Sequence, residues 1–305
     1  RLGGVIASIF YSFAPYHLLD IYIRGSVGEV WTLAFFPAFL WAVTKFVREG
    51  QRHFLPIASI CLALIIFSHN ILALMFIPFA ISYAGFLVWG GSKGDRRVLW
   101  GSTLVFLLGI GLSTIFWLPA LFERHYVRGL EIFNYSQHFA EIYQLLIPSW
   151  GSGFSADIGT EGLSLQIGIA HLVILFATIV LMIWRRGSKR NRGITIFLLG
   201  WVFIAVFLML KASSPLWVAV PLMQYFQFPW RFLSLVILCL SFLAGSIVHV
   251  GFPRVVGIAF VLLPILLGIG YTVPAYYHMR DDAYYITRSN FIDGTNSPGN
   301  TFNTI

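Results

Sequence analysis

The stretch "FQFPWRFLSLVILCLSFLAG", residues Phe226–Gly245, decides the class of fold. After Arg231 it contains no charged residue, which is typical of an α-helix surrounded by lipid or by other apolar helices. Its one arginine stands beside Pro229 and Trp230, where such a helix would begin. The stretch therefore predicts a membrane-spanning helix, and it leaves open what Arg231 binds at the end of that helix.

The rest of the chain has the same apolar character. Of its 305 residues 58% are hydrophobic and 10% are charged, and the mean hydropathy is +0.81. Soluble domains carry about 25% charged residues, and a chain of this length cannot bury so much apolar surface in its own core. The composition therefore predicts an all-α, polytopic membrane protein and excludes a soluble globular domain.

Eight segments are apolar enough to cross a bilayer, although Phe54–Ser68 is short for a crossing that needs roughly 20 residues. They are Glu29–Val47, Phe54–Ser68, Ile71–Trp89, Val98–Leu118, Gln166–Trp184, Ile194–Leu210, Phe232–Val250 and Val255–Tyr276. A partial helix from about Leu2 to Phe13 precedes them. We interpret residues 1–305 as a single membrane domain, a fragment of a longer chain, that forms a GT-C-like bundle of eight complete spans and a truncated first helix.

The run Phe54–Trp89 is far longer than one crossing needs and contains no formal charge. Ser68, His69 and Asn70 interrupt it with polar side chains. A tight helical hairpin that turns at these residues explains both the length and the interruption. One very long helix is the alternative.

Positive charge alternates from one connection between spans to the next. Twelve of the 20 Lys and Arg residues lie in "KFVREGQRH", "GGSKGDRRV", "RRGSKRNR" and "GFPR", with only Glu49 and Asp95 as acids among them. The positive-inside rule predicts that these connections are cytoplasmic in a cell-membrane protein, and that loop 119–165 and tail 278–305 are external. The net charge of +8 then reflects topology and attraction to acidic lipid, so no nucleic-acid partner is expected.

Acidic and basic residues gather around the start of the first complete span. Asp20, Arg24 and Glu29 are close enough in sequence to form ion pairs. One interpretation is an interfacial salt bridge that anchors a helix end. The other is that Arg24 binds an anionic group, with Glu29 orienting that group or acting as a base, and with Asp20 in a supporting role.

Other polar residues of the predicted outer side are weaker candidates for chemistry. His69 could donate a hydrogen bond to substrate or transfer a proton, with Asn70 in support, or both could simply cap the hairpin. Glu123 is a candidate base or metal ligand, and a solvated helix face is the alternative. The acidic pair Asp281 and Asp282 could hold a divalent ion. No cofactor motif is evident, so a divalent metal is the one cofactor left open.

Arg231 stands at a predicted helix start, where the backbone presents free N–H groups and partial positive charge. The arginine adds a full charge to this end, and Trp230 is a headgroup-level aromatic beside it. Such a site would suit a phosphate or pyrophosphate headgroup. An arginine that reaches ordinary lipid phosphate without a specific ligand is the alternative.

Four motifs, taken in order, resemble a known family: "APYHLLDIYIRGSVGEVWTLAFFPAFLWA", "SHNILAL", "IFWLPALFE" and "FQFPWRFLS". They are similar to the prokaryotic integral membrane proteins called 6-pyruvoyl-tetrahydropterin synthase-related, roughly over Ala14 to Leu233. The soluble pterin synthase is a small zinc enzyme with a histidine triad, and none of its pattern occurs in this chain. We therefore do not expect pterin chemistry.

The layout of spans and outer loops is also similar, more distantly, to the GT-C glycosyltransferases. Those enzymes take sugars from polyprenyl-phosphate carriers on the outer side of the membrane, and the resemblance implies such a transferase here. Their catalytic acid typically lies in a first external loop, which we expect to precede this fragment, so the resemblance supplies no catalytic residue. It implies a lipid-phosphate site, for which Arg24 and Arg231 are the candidates. A transporter and a non-catalytic assembly protein are the alternatives, and the oligomeric state is open.

Overall fold

The computed structural model describes residues 2–91, 95–126, 134–156, 162–184, 189–247, 254–273, 279 and 281–286. Within these ranges the chain is helical, with short 3-10 turns and no strand. The helices are α1 Leu2–Ser12, α2 Pro15–Tyr22, α3 Val27–Glu49, α4 Phe54–Ser68, α5 Asn70–Gly91, α6 Arg96–Leu112, α7 Thr114–Phe122, α8 Ile142–Leu146, α9 Ile169–Ile183, α10 Lys189–Met209, α11 Ser214–Ala219, α12 Leu233–Ile247, α13 Arg254–Gly268 and α14 Asp282–Ile286. The all-α fold is confirmed.

Over its described residues, each predicted span overlaps an apolar helix or a bent pair of helices. In the described part of the chain, four helical segments, which contain α3, α5, α10 and α12, are long and apolar enough to cross a membrane alone. The number of candidate spans rises from 4 to 6 if each of two bent helix pairs is counted as one span. Three further apolar helices are shorter than a usual crossing, namely Phe54–Ser68, Ile169–Ile183 and Gly257–Tyr271. The number of crossings therefore stays a prediction.

The predicted hairpin at His69 is confirmed by the contacts of α4 and α5 with α3. Helix α4 packs antiparallel to α3, whereas α5 packs parallel to it. The contacting pairs are Ser68–Gly28 and Phe54–Trp41 for α4, and His69–Glu29, Phe76–Phe36 and Tyr83–Thr44 for the turn and α5. The chain therefore reverses its direction between Ser68 and Asn70.

The predicted span Val98–Leu118 is bent, because α6 and α7 meet at 64°. At the junction the Ser113 hydroxyl donates to the carbonyl oxygens of Gly109 at 3.1 Å and Ile110 at 3.0 Å. The indole N–H of Trp117 also donates to the Ile110 oxygen, at 2.9 Å. Side chains that occupy the carbonyls of the preceding turn bend a helix in this way.

Helix α12 lies at the centre of the bundle. Of its span 89% is buried, and α1, α9 and α10 pack around it. A helix that is apolar on all faces is stable only when other elements cover all of them. At Gly245 the backbone of α1 comes so close that a Cβ atom there would collide with the Gly3 carbonyl oxygen. The stretch that decides the class of fold is therefore also its core.

An aromatic layer covers the end of the bundle where α12 begins. Its centre is Trp217, which is almost completely buried. Tyr135 and Phe139 of the long loop contact this indole at ring distances of 5.2 and 5.6 Å. The described part of loop 119–165 and the short turns over 211–232 therefore pack against each other above the bundle.

Some predicted segments lie outside the described residues. They include residues 127–133 and 157–161 of the predicted external loop, and most of the tail 278–305. Parts of three basic connections, at residues 92–94, 185–188 and 248–253, also lie outside them.

Candidate functional site

Glu29 is the centre of a buried ion cluster at the end of α3 that lies farthest from Lys45. Arg24 binds both of its carboxylate oxygens, through Nη1 to Oε2 and Nη2 to Oε1, each at 2.6 Å. The Tyr16 hydroxyl donates to Oε2 at 2.9 Å, and Nε of Arg231 donates to Oε1 at 3.2 Å. The ion pair expected from the spacing of Arg24 and Glu29 is therefore present, and a second arginine joins it.

The local backbone explains how Arg24 folds back onto α3. Helix α2 ends at Tyr22, and Gly25 adopts a φ of 57°, a left-handed conformation that favours glycine. The Ser26 N–H donates to the Asp20 carbonyl at 2.9 Å and closes the turn. Glu29 then falls in the first turn of α3, where a negative charge is stabilised by the helix dipole.

Asp20 supplies the second acid of the cluster and is fully buried. Its Oδ1 accepts a hydrogen bond from Nη1 of Arg24, whereas its Oδ2 has no hydrogen-bond partner in the described part of the chain. Burial alone would lower the pKa of Arg24, but the hydrogen bonds to Glu29 and the charges of both acids outweigh burial and raise the pKa above its usual range. Two acids thus face two arginines, and the formal charges of the cluster balance.

Arg231 approaches the cluster from a strained turn before α12. Its Nη1 donates to the Phe226 carbonyl oxygen and to Oε1 of Gln227, both at 3.2 Å. Gln227 has φ 63° and ψ −50°, and the Phe228 N–H donates to the Phe226 carbonyl at 2.6 Å, which defines a γ-turn of the rare, strained form. Only 6% of Arg231 is exposed, so its guanidinium group points into the protein.

Two aromatic rings support the arginines. The Cζ atom of Arg24 lies 4.7 Å from the ring centre of Trp230, and that of Arg231 lies 4.9 Å from the ring centre of Phe228. The two rings stack at 5.1 Å, so both cations lie over one aromatic pair. The sequence suggested a headgroup-level aromatic at Trp230, but the ring is buried beside Arg24, and its indole N–H has no acceptor among the described residues.

His69 and Asn70 lie beside the cluster and cap helices. Nδ1 of His69 accepts the Leu72 N–H at 3.2 Å, so the proton of the neutral ring is assigned to Nε2, which lies 3.4 Å from Oε1 of Glu29. Burial lowers the pKa of His69 to about 4, and the charges of Arg231 and Arg24 also lower it, although Glu29 opposes them. The imidazole is therefore neutral at pH 7. Asn70 is exposed, and its Oδ1 accepts the Ile71 N–H at 2.8 Å.

The remaining predicted site residues lie apart from this cluster. Glu123 is exposed and ends α7, and the structure records no ion pair for it within the described ranges. Asp281 caps α14 through Oδ1, which accepts the Tyr284 N–H at 3.1 Å, and Asp282 lies in the first turn of that helix. Among the described residues, no group of three or more His, Cys, Asp or Glu side chains is placed to hold a metal ion.

Sequence reasoning missed Tyr16 and Gln227, and it did not anticipate that the Phe228 ring lies against the guanidinium group of Arg231. Tyr16 precedes Asp20 by one helical turn in the same motif, and a buried tyrosine hydroxyl requires an acceptor. That signal was available in the sequence. No comparable signal exists for Gln227, because glutamine rarely adopts a positive φ.

A bundle of apolar helices, with its few buried charges gathered at one end, defines an integral membrane protein. The family model described as "6-pyruvoyl-tetrahydropterin synthase related domain; membrane protein" matches residues 1–277. The chain belongs to this family, as the four sequence motifs indicated. Comparison with curated proteins and with solved structures gave no significant match.

Proposed function

We propose that this chain is the membrane domain of a transferase that takes a sugar from a polyprenyl-phosphate carrier at the outer face of the cell membrane. The carrier phosphate binds at the ion cluster. The observation that supports this proposal is the convergence of Arg24 and Arg231 on Glu29, at the end of the bundle opposite the basic connections. The distant resemblance to GT-C transferases supplies the reaction class.

Arg231 is the arginine that a phosphate would recruit. Its hydrogen bonds to Glu29, Gln227 and the Phe226 carbonyl are 3.2 Å long, whereas Arg24 holds Glu29 through two bonds of 2.6 Å. Short, bidentate bonds of this kind are the stronger ones. The hydrogen bonds recorded for Arg231 among the described residues come from Nε and Nη1, so Nη2 is the atom that we assign to a phosphate oxygen. Arg24 contributes its charge and keeps Glu29 in place.

The balance of charge determines how a phosphate can enter. The two carboxylates already offset the charge of the two guanidinium groups. An added phosphate must therefore replace the Glu29 carboxylate as the partner of Arg231. Glu29 can release Arg231, because Arg24 and Tyr16 continue to satisfy both of its oxygens. The buried indole N–H of Trp230 offers the phosphate a further donor. Arg231 therefore exchanges the Glu29 carboxylate for the carrier phosphate.

Asp20 is a better candidate base than Glu29. Both oxygens of Glu29 accept hydrogen bonds from cluster residues, whereas Oδ2 of Asp20 accepts none from the residues that the structure describes. In the proposed reaction the acceptor hydroxyl forms the new glycosidic bond and gives its proton to Asp20. The carrier phosphate leaves with the bonding electron pair and is stabilised by Arg231.

A binding measurement with a matched control tests the phosphate site. Arg231→Gln should weaken binding of a polyprenyl phosphate by about tenfold or more, because a hydrogen bond between charged groups is lost. Lys211→Gln removes an exposed positive charge from the same series of short turns, residues 211–232, and should leave binding unchanged. Native mass spectrometry of the detergent-purified chain gives both affinities, and thermal unfolding without ligand shows that each variant folds. Equal affinity of Arg231→Gln and wild type would refute the proposal.

A non-catalytic assembly role is the second candidate. It is favoured by the observation that cluster residues alone satisfy Glu29, with four hydrogen bonds. In that case Arg231→Gln lowers the unfolding temperature and leaves the binding of polyprenyl phosphate unchanged. The same experiment therefore separates the two candidates.

A further inference from the structure

A second group of arginines lies at the opposite end of the bundle, around a cavity of about 680 Å³. The space is open to the surface, because its arginines and Trp100 are exposed. The cavity is lined by Arg52, Arg96, Arg97, Phe46, Leu55, Trp100 and Gly101. The lining thus combines three positive charges with apolar side chains and contains no acid.

Three helices build the walls of this cavity. Phe46 lies in the last part of α3, Leu55 in the first turn of α4, and Trp100 in the first part of α6. Gly101 brings α6 close to α3, because a Cβ atom there would collide with the ring of Phe46. The cavity therefore lies where three packed helices meet, and its apolar lining belongs to the bundle itself.

The positive charge of the cavity has no partner among the described residues. Glu49, a nearby acid, accepts both its recorded ionic bonds from Nζ of Lys45 at 2.8 Å. Asp95 precedes the arginines directly, and its Oδ1 accepts the backbone N–H of Arg97 at 2.8 Å as a helix cap. No ion pair involving Arg52, Arg96 or Arg97 is recorded in the described part of the chain. Three like charges gathered in one cavity favour a bound anion.

We propose that this cavity binds the phosphate-bearing headgroup of an acidic phospholipid. Guanidinium groups bind phosphate oxygens in bidentate geometry, and three of them surround the cavity. Trp100 is 70% exposed at the cavity, a position suited to contact with the glycerol and upper acyl chain of a lipid. The apolar lining gives a phospholipid contacts that free phosphate lacks. This site is independent of the ion cluster and of the function proposed for it.

Lipid titration of the purified chain tests the proposal. The full chain in detergent is titrated with phosphatidylglycerol, phosphatidylcholine or inorganic phosphate, and native mass spectrometry measures the bound fraction. We expect phosphatidylglycerol to bind most tightly. Arg96→Gln should weaken it about fivefold, the usual contribution of one basic residue near acidic lipid. Arg192→Gln, an exposed arginine of another basic connection, should bind like wild type.

A filling variant separates a cavity from a diffuse surface charge. Leu55→Trp keeps all three arginines but occupies the space, so it should also weaken phosphatidylglycerol binding. An equal loss in Arg192→Gln and Arg96→Gln, or no loss in Leu55→Trp, would overturn the proposal in favour of general attraction to the surface. Inorganic phosphate binding as tightly as phosphatidylglycerol would also overturn it. Thermal unfolding without lipid confirms that each variant is folded.

Discussion

At the scale of single residues, Glu29 decides how the end of the bundle opposite the basic connections is organised. A buried carboxylate is costly unless opposite charges and hydrogen bonds surround it. Glu29 has donors from α2, from the turn that follows α2, and from the turn before α12. One acid therefore ties α2 and the turn after it to the turn before α12, where Arg231 lies 202 positions after Glu29.

Replacing this acid should strongly destabilise the fold. Glu29→Gln removes the charge that faces Arg24 and Arg231, and breaking a buried ion cluster costs about 3–5 kcal/mol. Glu49→Gln is the matched control in the same helix, because Glu49 is exposed and, among the described charged residues, pairs only with Lys45. An exposed pair contributes about 0–1 kcal/mol. Equilibrium unfolding of both variants in mixed micelles measures the difference, and equal stability losses would contradict this account.

The site was only partly predictable from the sequence. Asp20, Arg24 and Glu29 lie within ten residues of one another, so their spacing was enough to suggest ion pairs. Arg231 lies 202 positions after Glu29, and a single sequence carries no signal that joins them. The strain at Gln227 was also hidden, because it depends on the hydrogen bonds that Arg231 makes to that turn.

At the scale of elements, the breaks in the helices shape the site. The one-residue break at His69 reverses the chain and brings the start of α5 next to Glu29. Gly28 makes this approach possible, because a Cβ atom there would lie only 2.5 Å from the Ser68 carbonyl oxygen. The position of the turn therefore depends on the absence of a side chain in α3.

Two glycine substitutions test this contact. Gly28→Ala should destabilise the protein by about 1–3 kcal/mol, the usual cost of overpacking a core. Gly85→Ala in α5 should be neutral or stabilise by up to about 1 kcal/mol, because nothing lies within 4 Å of its added Cβ atom and alanine favours the helix. Thermal unfolding in one detergent compares the two variants. Similar unfolding temperatures for the two variants would show that the turn at His69 can shift to accept a Cβ atom at position 28.

Helix positions were more predictable than helix shapes. Apolar runs bounded by charged or turn-forming residues located the helices, closely at Phe54–Ser68 but less closely at Val255–Tyr276, where α13 ends at Gly268. The bend at Ser113 was missed because the apolar run continues through it, and only the hydrogen bonds of the Ser113 hydroxyl reveal it. Hydrophobicity locates a helix in the chain but does not report its straightness.

At the scale of the whole molecule, the two ends of the bundle differ in their charge. One end holds a balanced cluster of acids and arginines beneath an aromatic layer. The other end holds arginines that line a cavity without acids. The positive-inside rule assigns the second end to the cytoplasm. The orientation is therefore a prediction from charge alone, and it is open to direct test.

Cysteine labelling in whole cells tests the orientation. Ser152→Cys in the long loop should react with a membrane-impermeant maleimide, whereas His53→Cys should react only after the membrane is opened. Both positions are exposed. The natural thiols, Cys61 and Cys239, are buried and should give little background. The reverse pattern would place the ion cluster on the cytoplasmic side and remove the basis for an outer carrier site.

The central place of α12 has a consequence for how the protein is made. Helix α1 packs directly against α12, yet most of the chain lies between them. During synthesis α1 must remain in the bilayer without its main partner until α12 leaves the ribosome. Helices α9 and α10 must also leave a gap that α12 can enter. The helices inserted before α12 therefore cannot pack into their final arrangement until α12, a helix made late, has entered the bundle.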